Sequence, residues 1–201
     1  MAQSGIIPGR ESEMTVESDR AVVRDAADFA TLTERHYPPV LRYLTRQTGD
    51  PDLAADLAQE TFVAAFRSQA QLRNDLSFPA WIFQIARNQF RAELRRRRLR
   101  AAVSLDWLID RPGATDPALR HPDHSADVAR RDDIQRALDR LAPAPREALL
   151  LHALGGFTGL EVAGILDISH EAARKRISRA EADFRHHYRA LTGDEHVLPT
   201  S

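Results

Sequence analysis

The stretch GLEVAGILDISHEAARKRISRAEADFR, residues 159–185, decides the fold of the C-terminal half. Thr158 and Glu161 form a T-x-x-E capping box, which predicts a short helix that ends near Leu166. After a tight turn, Ser169 is placed to cap a second helix. At helical spacing, the apolar side of that second helix is formed by Ala173, Ile177, Ala180 and Phe184. The pattern therefore predicts a helix-turn-helix.

The other side of the second helix is polar and mostly basic. Its outward residues are Glu171, Arg174, Lys175, Ser178 and Arg179. Side chains of these types read base edges in the major groove and bind backbone phosphates. The alternative is a structural hairpin whose basic face is simply solvated.

Composition excludes several classes of protein. The chain has 201 residues and no cysteine, so a disulfide framework and a cysteine-ligated zinc site are both excluded. Its apolar runs are far shorter than the about 20 residues that span a bilayer. The first 25 residues lack the apolar segment of a signal peptide. We therefore expect a cytoplasmic protein without membrane insertion.

Positive charge is concentrated, although the net charge is only -1. Residues 87–100 contain seven arginines and one glutamate, and residues 174–185 contain five basic and two acidic residues. Within the first stretch, four arginines that share one side of a helix are Arg87, Arg91, Arg95 and Arg98. Such local stripes on a near-neutral chain predict defined contacts with a polyanion, with a solvated face again as the alternative.

In the N-terminal half, the spacing of apolar residues predicts three helices. The first begins near Phe29, and we expect a break at Pro38 and Pro39. The second is expected from the N-cap Asp50, with Pro51 in its first position, to about residue 70. Its inward residues are Ala54, Leu57, Ala58, Thr61, Phe62 and Ala65, and its outward residues are Asp52, Asp56, Gln59, Glu60, Val63 and Arg67.

A short loop over residues 72–77 precedes the third helix. The apolar stripe predicted for that helix is Trp81, Ile82, Ile85, Ala86, Phe90 and Leu94. The fold class is therefore all-α, with two small helical domains joined by a flexible linker and a helix-turn-helix in the C-terminal one. The expected divisions are a flexible leader at 1–25, a first domain at 26–100, a linker at 101–131, a second domain at 132–190 and a tail at 191–201.

Three motifs occur in a fixed order along this pattern. They are D-L-A-Q-E-T-F at 56–62, W-I-F-Q-I-A-R-N at 81–88, and a C-terminal series in which Leu141, Arg146, Glu147 and Ala148 precede E-V-A-x-x-L at 161–166 and the dipeptide Ile168–Ser169. In this order they resemble the extracytoplasmic-function (ECF) sigma factors, small two-domain initiation factors of bacterial RNA polymerase. The resemblance covers about residues 26–100 and 132–190.

The resemblance implies a role for each cluster. Asp56, Gln59, Glu60 and Val63 would dock on the clamp helices of the largest polymerase subunit. Arg73, Asn74 and Asp75, in the loop, would hold an extruded base of the minus-ten element. Arg87, Arg91, Arg95 and Arg98 would bind phosphates beside it, while Glu171, Arg174, Lys175, Ser178 and Arg179 would read the minus-thirty-five element. Core RNA polymerase, promoter DNA and an anti-sigma factor are the implied partners.

The sequence departs from the family pattern in the second domain. Asp167 stands in a turn where the family usually has glycine, Glu171-Ala172-Ala173 replaces Gly-Thr-Val, and Glu181 replaces a frequent arginine. Asp tolerates the left-handed conformation of such a turn better than most residues. These changes concern the entry and surface of the recognition helix, and so the promoter sequence that it reads.

Two other functions remain open on the residues alone. A stand-alone helix-turn-helix regulator explains the C-terminal half and leaves the Q-E-T-F and I-A-R-N helices without a role. A protein-binding helical adaptor explains neither arginine cluster. The pairs His121 with His124 and His186 with His187 lack the further ligands of a metal site, so we expect no metal, no cofactor and no catalytic residue.

Overall fold

A computed structural model describes residues 26–69, 77–103 and 126–193. Within these ranges every regular element is an α-helix, which confirms the all-α fold class. The helices are α1 (Ala26–Thr48), α2 (Pro51–Ser68), α3 (Phe78–Val103), α4 (Ala126–Asp139), α5 (Pro143–Gly155), α6 (Gly159–Leu166) and α7 (His170–Thr192). The expected leader, most of the expected linker and the end of the tail lie outside the described residues. None of the helices described is both long and apolar enough to cross a membrane.

Helix α1 continues through Pro38 and Pro39, so the predicted break is wrong. A proline inside a helix removes one backbone hydrogen bond, which normally disfavours the continuation. Here Val40, Tyr43 and Leu44, just after the prolines, are fully buried, and Leu32 before them is buried too. Because both halves of α1 contribute to the same core, tertiary packing outweighs the local cost of the prolines.

Helix α2 begins and faces the core as its sequence predicts. The Asp50 carboxylate accepts hydrogen bonds from the backbone N–H groups of Asp52 and Leu53, each at 3.1 Å. The six residues predicted to face inward are the six that are buried, and the six predicted to face outward are exposed. The helix ends at Ser68, slightly before the expected residue 70.

Helix α3 buries residues that its predicted apolar stripe does not include. Trp81, Ile82 and Ala86 are buried as predicted, and Ile85 and Phe90 are partly buried against the same core. Leu94 is exposed, so that part of the prediction is wrong. Phe78, Phe83 and Glu93 are buried as well, although the predicted stripe did not include them. A prediction from one apolar stripe underestimates the number of buried residues in a helix that packs on both domains.

The C-terminal domain consists of α4–α7, and α4 begins at Ala126, inside the expected linker. The capping box is confirmed. The Thr158 hydroxyl accepts from the N–H of Glu161 at 3.3 Å, and the Thr158 N–H donates to the Glu161 carboxylate at 2.8 Å. Asp167 has φ 55° and ψ 55°, the left-handed conformation expected of that turn. The Ser169 hydroxyl accepts from the N–H of Ala172 at 3.2 Å and caps α7.

The two domains pack against each other, and one hydrophobic core runs through both. Phe83 of α3 lies edge-on to Phe157 of the C-terminal domain, with ring centroids 5.0 Å apart, and to Tyr43 of α1 at 5.3 Å. Burial raises the pKa of the Tyr43 phenol above its usual range, and the negative charge of Glu147 adds to the effect. The domains therefore share a buried interface that is largely apolar.

Candidate functional site

The outward side of α2 forms an exposed, acidic surface. Asp56, Gln59 and Glu60 are exposed, and Val63 is 49% exposed. Phe66, which the sequence reading did not single out, is also 49% exposed on the following turn. Its spacing of three residues from Val63 was the available signal, since residues three apart share a helix face. The α2 surface, defined as Asp56, Gln59, Glu60, Val63 and Phe66, combines carboxylates with an apolar end and stays exposed although the domains pack together.

The predicted arginine stripe on α3 divides into two parts. Arg95 and Arg98 are exposed. Arg87 and Arg91 instead pair with Glu147 of α5, through Nε to Oε1 at 3.0 Å and through a terminal nitrogen to Oε2 at 3.2 Å. The structure therefore does not leave all four arginines on one open surface.

A buried carboxylate organises the arginines at the end of α3. Glu93 accepts hydrogen bonds from Arg96 at 3.3 Å, Arg97 at 3.0 Å and Arg100 at 2.8 Å. The hydrogen bond from Arg97 and the charge of Arg100 hold the pKa of Glu93 below its usual range, although burial opposes this. Three of the seven arginines are thus tied to their own helix. The spacing of Arg96 and Arg97, three and four residues after Glu93, was the available signal for these ion pairs, a signal that the prediction did not use.

The loop residues proposed for the minus-ten element, Arg73, Asn74 and Asp75, lie outside the described residues. The loop is bounded by the end of α2 and by Ser77, whose hydroxyl accepts from the N–H of Ala80 at 3.4 Å at the start of α3.

Helix α7 presents the surface that the sequence predicts. Ala173, Ile177, Ala180 and Phe184 are buried, and so is Tyr188. The five residues proposed to contact DNA are all exposed, namely Glu171, Arg174, Lys175, Ser178 and Arg179. Glu171 and Lys175 form an ion pair at 2.6 Å on this face. The capping box of α6 and the left-handed turn at Asp167 set the direction of α7, whose basic side faces outward.

Within the described ranges, no group of three or more histidine or acidic side chains is placed to hold a metal ion. The rings of His186 and His187 lie 5.5 Å apart between centroids at an angle of 62°. His121 and His124 lie outside the described residues.

Comparison with known proteins assigns both domains. Residues 32–100 match the Sigma-70 region 2 family and residues 131–183 match the Sigma-70 region 4 family. The RNA polymerase sigma factor CarQ of Myxococcus xanthus is 34% identical over 164 residues, which cover 81% of this chain and 91% of CarQ. The ECF RNA polymerase sigma factor SigE of Mycolicibacterium smegmatis is 32% identical over 154 residues, covering 77% of this chain and 59% of SigE.

A solved structure agrees with these matches. The sigma factor RpoE from Bartonella quintana, in its complex with the anti-sigma factor NepR, superposes with a TM-score of 0.66 at 26% identity, over 80% of this chain and 96% of RpoE. The two family matches have the same order along the chain as the exposed α2 surface and the helix-turn-helix. The chain therefore belongs to the ECF family of RNA polymerase sigma factors, which direct promoter-specific transcription initiation.

Proposed function

We propose that this sigma factor divides its contacts among three surfaces. The α2 surface binds core RNA polymerase, the loop before α3 together with the α3 arginines binds the minus-ten element, and α7 reads the minus-thirty-five element. The observation that carries the proposal is that one chain presents an exposed acidic face on α2 and an exposed basic face on α7, each opposite the apolar face that the helix buries.

The α2 surface suits a basic partner. Asp56 and Glu60 are four residues apart and project from adjacent turns, so both carboxylates contribute to one negatively charged patch. Val63 and Phe66 add apolar area next to them, which is the combination of a hydrophobic centre and charged rim that protein interfaces use. The clamp helices of the largest polymerase subunit are the partner that the family resemblance implies, and charge complementarity would speed and orient the encounter.

The proposed minus-ten contacts combine the loop residues Asn74 and Asp75 with the arginines of α3. A base leaves its stack at a cost of about a few kcal/mol, and hydrogen bonds to Asn74 or Asp75 would recover part of that cost. Arg95 and Arg98, together with Arg87 and Arg91 once these leave Glu147, would then bind the phosphates that follow. Each phosphate contact makes binding weaker at high salt, because counterions are released when it forms.

The minus-thirty-five contacts come from α7. Arg174, Lys175 and Arg179 are the candidates for guanine edges and phosphates, and Glu171 would accept from a cytosine amine. The Glu171 to Lys175 ion pair is exposed, so it costs little to exchange for DNA contacts. The factor itself supplies no catalytic group, and it acts in the cytoplasm, where core polymerase and promoter DNA are found.

An anti-sigma factor is the regulatory partner that we infer. RpoE, whose fold this chain shares, was crystallised with the anti-sigma factor NepR. A protein that covered the α2 surface would prevent polymerase binding directly.

Native mass spectrometry with purified core polymerase tests the proposal. We expect a one-to-one complex, and we expect the variant Asp56→Ala/Glu60→Ala to weaken it about tenfold, which corresponds to roughly 1.4 kcal/mol. Glu34→Ala is the matched control, because Glu34 is an exposed carboxylate on α1. No complex with core, together with a dimer on palindromic DNA, would support the stand-alone regulator instead.

A further inference from the structure

The carboxylate of Glu147 is buried at the junction of the two domains. Glu147 lies on α5 and is only 6% exposed. Both ion pairs that the described residues give it cross to α3, one to Arg87 at 3.0 Å and one to Arg91 at 3.2 Å. A buried charge is costly unless it is paired and hydrogen-bonded. Glu147 therefore depends on the other domain for its neutralisation.

Arg87 is committed to the C-terminal domain in a second way. Its terminal nitrogens donate to the carbonyl oxygens of Ile165 at 3.5 Å and Leu166 at 3.4 Å, at the end of α6. Gln84, one turn earlier, donates to the carbonyl of Gly164 at 3.2 Å. A cation at a helix C-terminus is stabilised by the helix dipole. The side chain of Arg87 is only 12% exposed as a result.

The residue before Glu147 fastens the junction to α1. Arg146 donates to the carbonyl oxygens of Arg46 and, at 3.2 Å, of Gln47, at the C-terminal end of that helix. It also pairs with Asp139 at 2.9 Å. Burial lowers the pKa of the Arg146 guanidinium from its ordinary value. Two consecutive residues of α5 thus hold two different helices of the N-terminal domain.

This junction conflicts with part of the proposed function. Arg87 and Arg91 were assigned to DNA phosphates, yet the Arg87 guanidinium is buried against Glu147 and the half-exposed Arg91 pairs with the same carboxylate. A phosphate would therefore have to compete with Glu147 for both side chains. The α2 surface and the outer face of α7 are exposed in the same arrangement. The packed state therefore engages Arg87 and Arg91 and leaves Arg95, Arg98 and the other two surfaces exposed.

We propose that Glu147 is an intramolecular latch that competes with DNA phosphates for Arg87 and Arg91 and keeps the free sigma factor closed. The proposal rests on the proposed function for the role of the two arginines. The closed form can still meet polymerase through the α2 surface. Arg87 and Arg91 become available to DNA only when the domains separate and Glu147 becomes hydrated.

The expected change in DNA affinity follows from the fraction of molecules in the open form. When the binding-competent form is a fraction of the total, the apparent dissociation constant rises by the inverse of that fraction. A latch that keeps about nine molecules in ten closed would weaken binding roughly tenfold. Removing the Glu147 charge should recover that factor.

The absence of cysteine makes the domain arrangement directly measurable. Nitroxide labels would be placed on Ala30→Cys in α1 and Ala182→Cys in α7, both at exposed positions. Pulsed electron paramagnetic resonance should give one narrow distance for the full-length parent. Glu147→Gln should transfer most of that population to longer, broader distances.

The second readout is affinity for a fluorescein-labelled, mixed-sequence single-stranded oligonucleotide at low salt. Glu147→Gln should lower the dissociation constant roughly tenfold. Glu34→Gln is the control, because it removes one exposed negative charge from α1. It should leave the label distance unchanged and alter the affinity by less than about twofold, since exposed charges interact weakly.

A second variant guards against misfolding of the first. Arg91→Gln removes the more exposed of the two ion pairs, where the Arg91 side chain is 46% exposed, and should open a smaller fraction of molecules. Unchanged label distances in folded Glu147→Gln and Arg91→Gln would overturn the latch. Opening of Glu147→Gln without a gain in oligonucleotide affinity would also overturn it, because the arginines would not have been withheld. Failure of the proposed function would show separately, as a lack of promoter-specific initiation by the parent with core polymerase.

Discussion

Replacing Phe157 by alanine tests whether the two domains unfold as one unit. Phe157 is buried at the interface, with its ring 5.0 Å from that of Phe83 between centroids. Truncating a buried phenylalanine typically costs about 3 to 5 kcal/mol. For a chain of this size each kcal/mol lowers the melting temperature by about 2 to 4 °C. We therefore expect Phe157→Ala to melt about 6 to 20 °C below the parent.

The contribution of the interface itself comes from a double-mutant cycle. An edge-on aromatic pair contributes about 0.5 to 1.5 kcal/mol beyond its buried area, so Phe83→Ala and Phe157→Ala should be non-additive by about 1 kcal/mol. Phe62 provides the matched control, because it is equally buried but its ring contact is with Tyr37 inside the N-terminal domain. Phe62→Ala and Phe157→Ala should be additive within about 0.5 kcal/mol.

Thermal unfolding followed by circular dichroism gives the shift in melting temperature. Urea unfolding, followed in the same way, gives the free energies for the double-mutant cycle. A single transition is expected for the parent. The reasoning would be refuted by two separate transitions, of which Phe157→Ala moves only the one that belongs to the C-terminal domain. Strict additivity of Phe83→Ala and Phe157→Ala would refute it equally.

Three further outcomes are expected. Thr158→Ala removes the hydroxyl that caps α6 and should lower the free energy of unfolding by about 1 kcal/mol, measured by urea titration; no change would mean that the cap is redundant. Because folding lowers the pKa of Glu93, its carboxylate stabilises the folded state above the ordinary glutamate pKa, and this stability is lost as pH falls through the lowered pKa. Glu93→Gln should therefore flatten the acid limb of the plot of unfolding free energy against pH. An unchanged acid limb would contradict this. Arg174→Ala should weaken binding to a minus-thirty-five duplex by about 1 to 3 kcal/mol and relax specificity at one base pair, measured by fluorescence anisotropy on single-substitution duplexes; a uniform loss across all sequences would make Arg174 a phosphate contact instead.

Local features of the fold were predictable from the sequence. The caps at Asp50, Thr158 and Ser169 depend on a side chain and on backbone groups two or three residues away, so their short spacing suffices to identify them. The inward faces of α2 and α7 follow from the helical period alone. The left-handed Asp167 was expected from the family resemblance, because the family usually has glycine in that turn.

Features that depend on distant partners were not predictable. The continuation of α1 through Pro38 and Pro39 reflects packing on α2 and α3, which no local pattern records. Arg87 and Glu147 are 60 residues apart in the sequence, and in isolation each has the pattern of a surface charge. Their burial becomes visible only when the two domains are brought together.

Run-off transcription with purified core RNA polymerase and a promoter library is the most direct test of the central claim. The sigma assignment predicts discrete transcripts that start at a fixed distance from a shared pair of upstream elements and that require this chain. A known sigma factor supplies the positive control with the same core enzyme. If the control initiates and this chain gives no promoter-specific transcript, the assignment is contradicted.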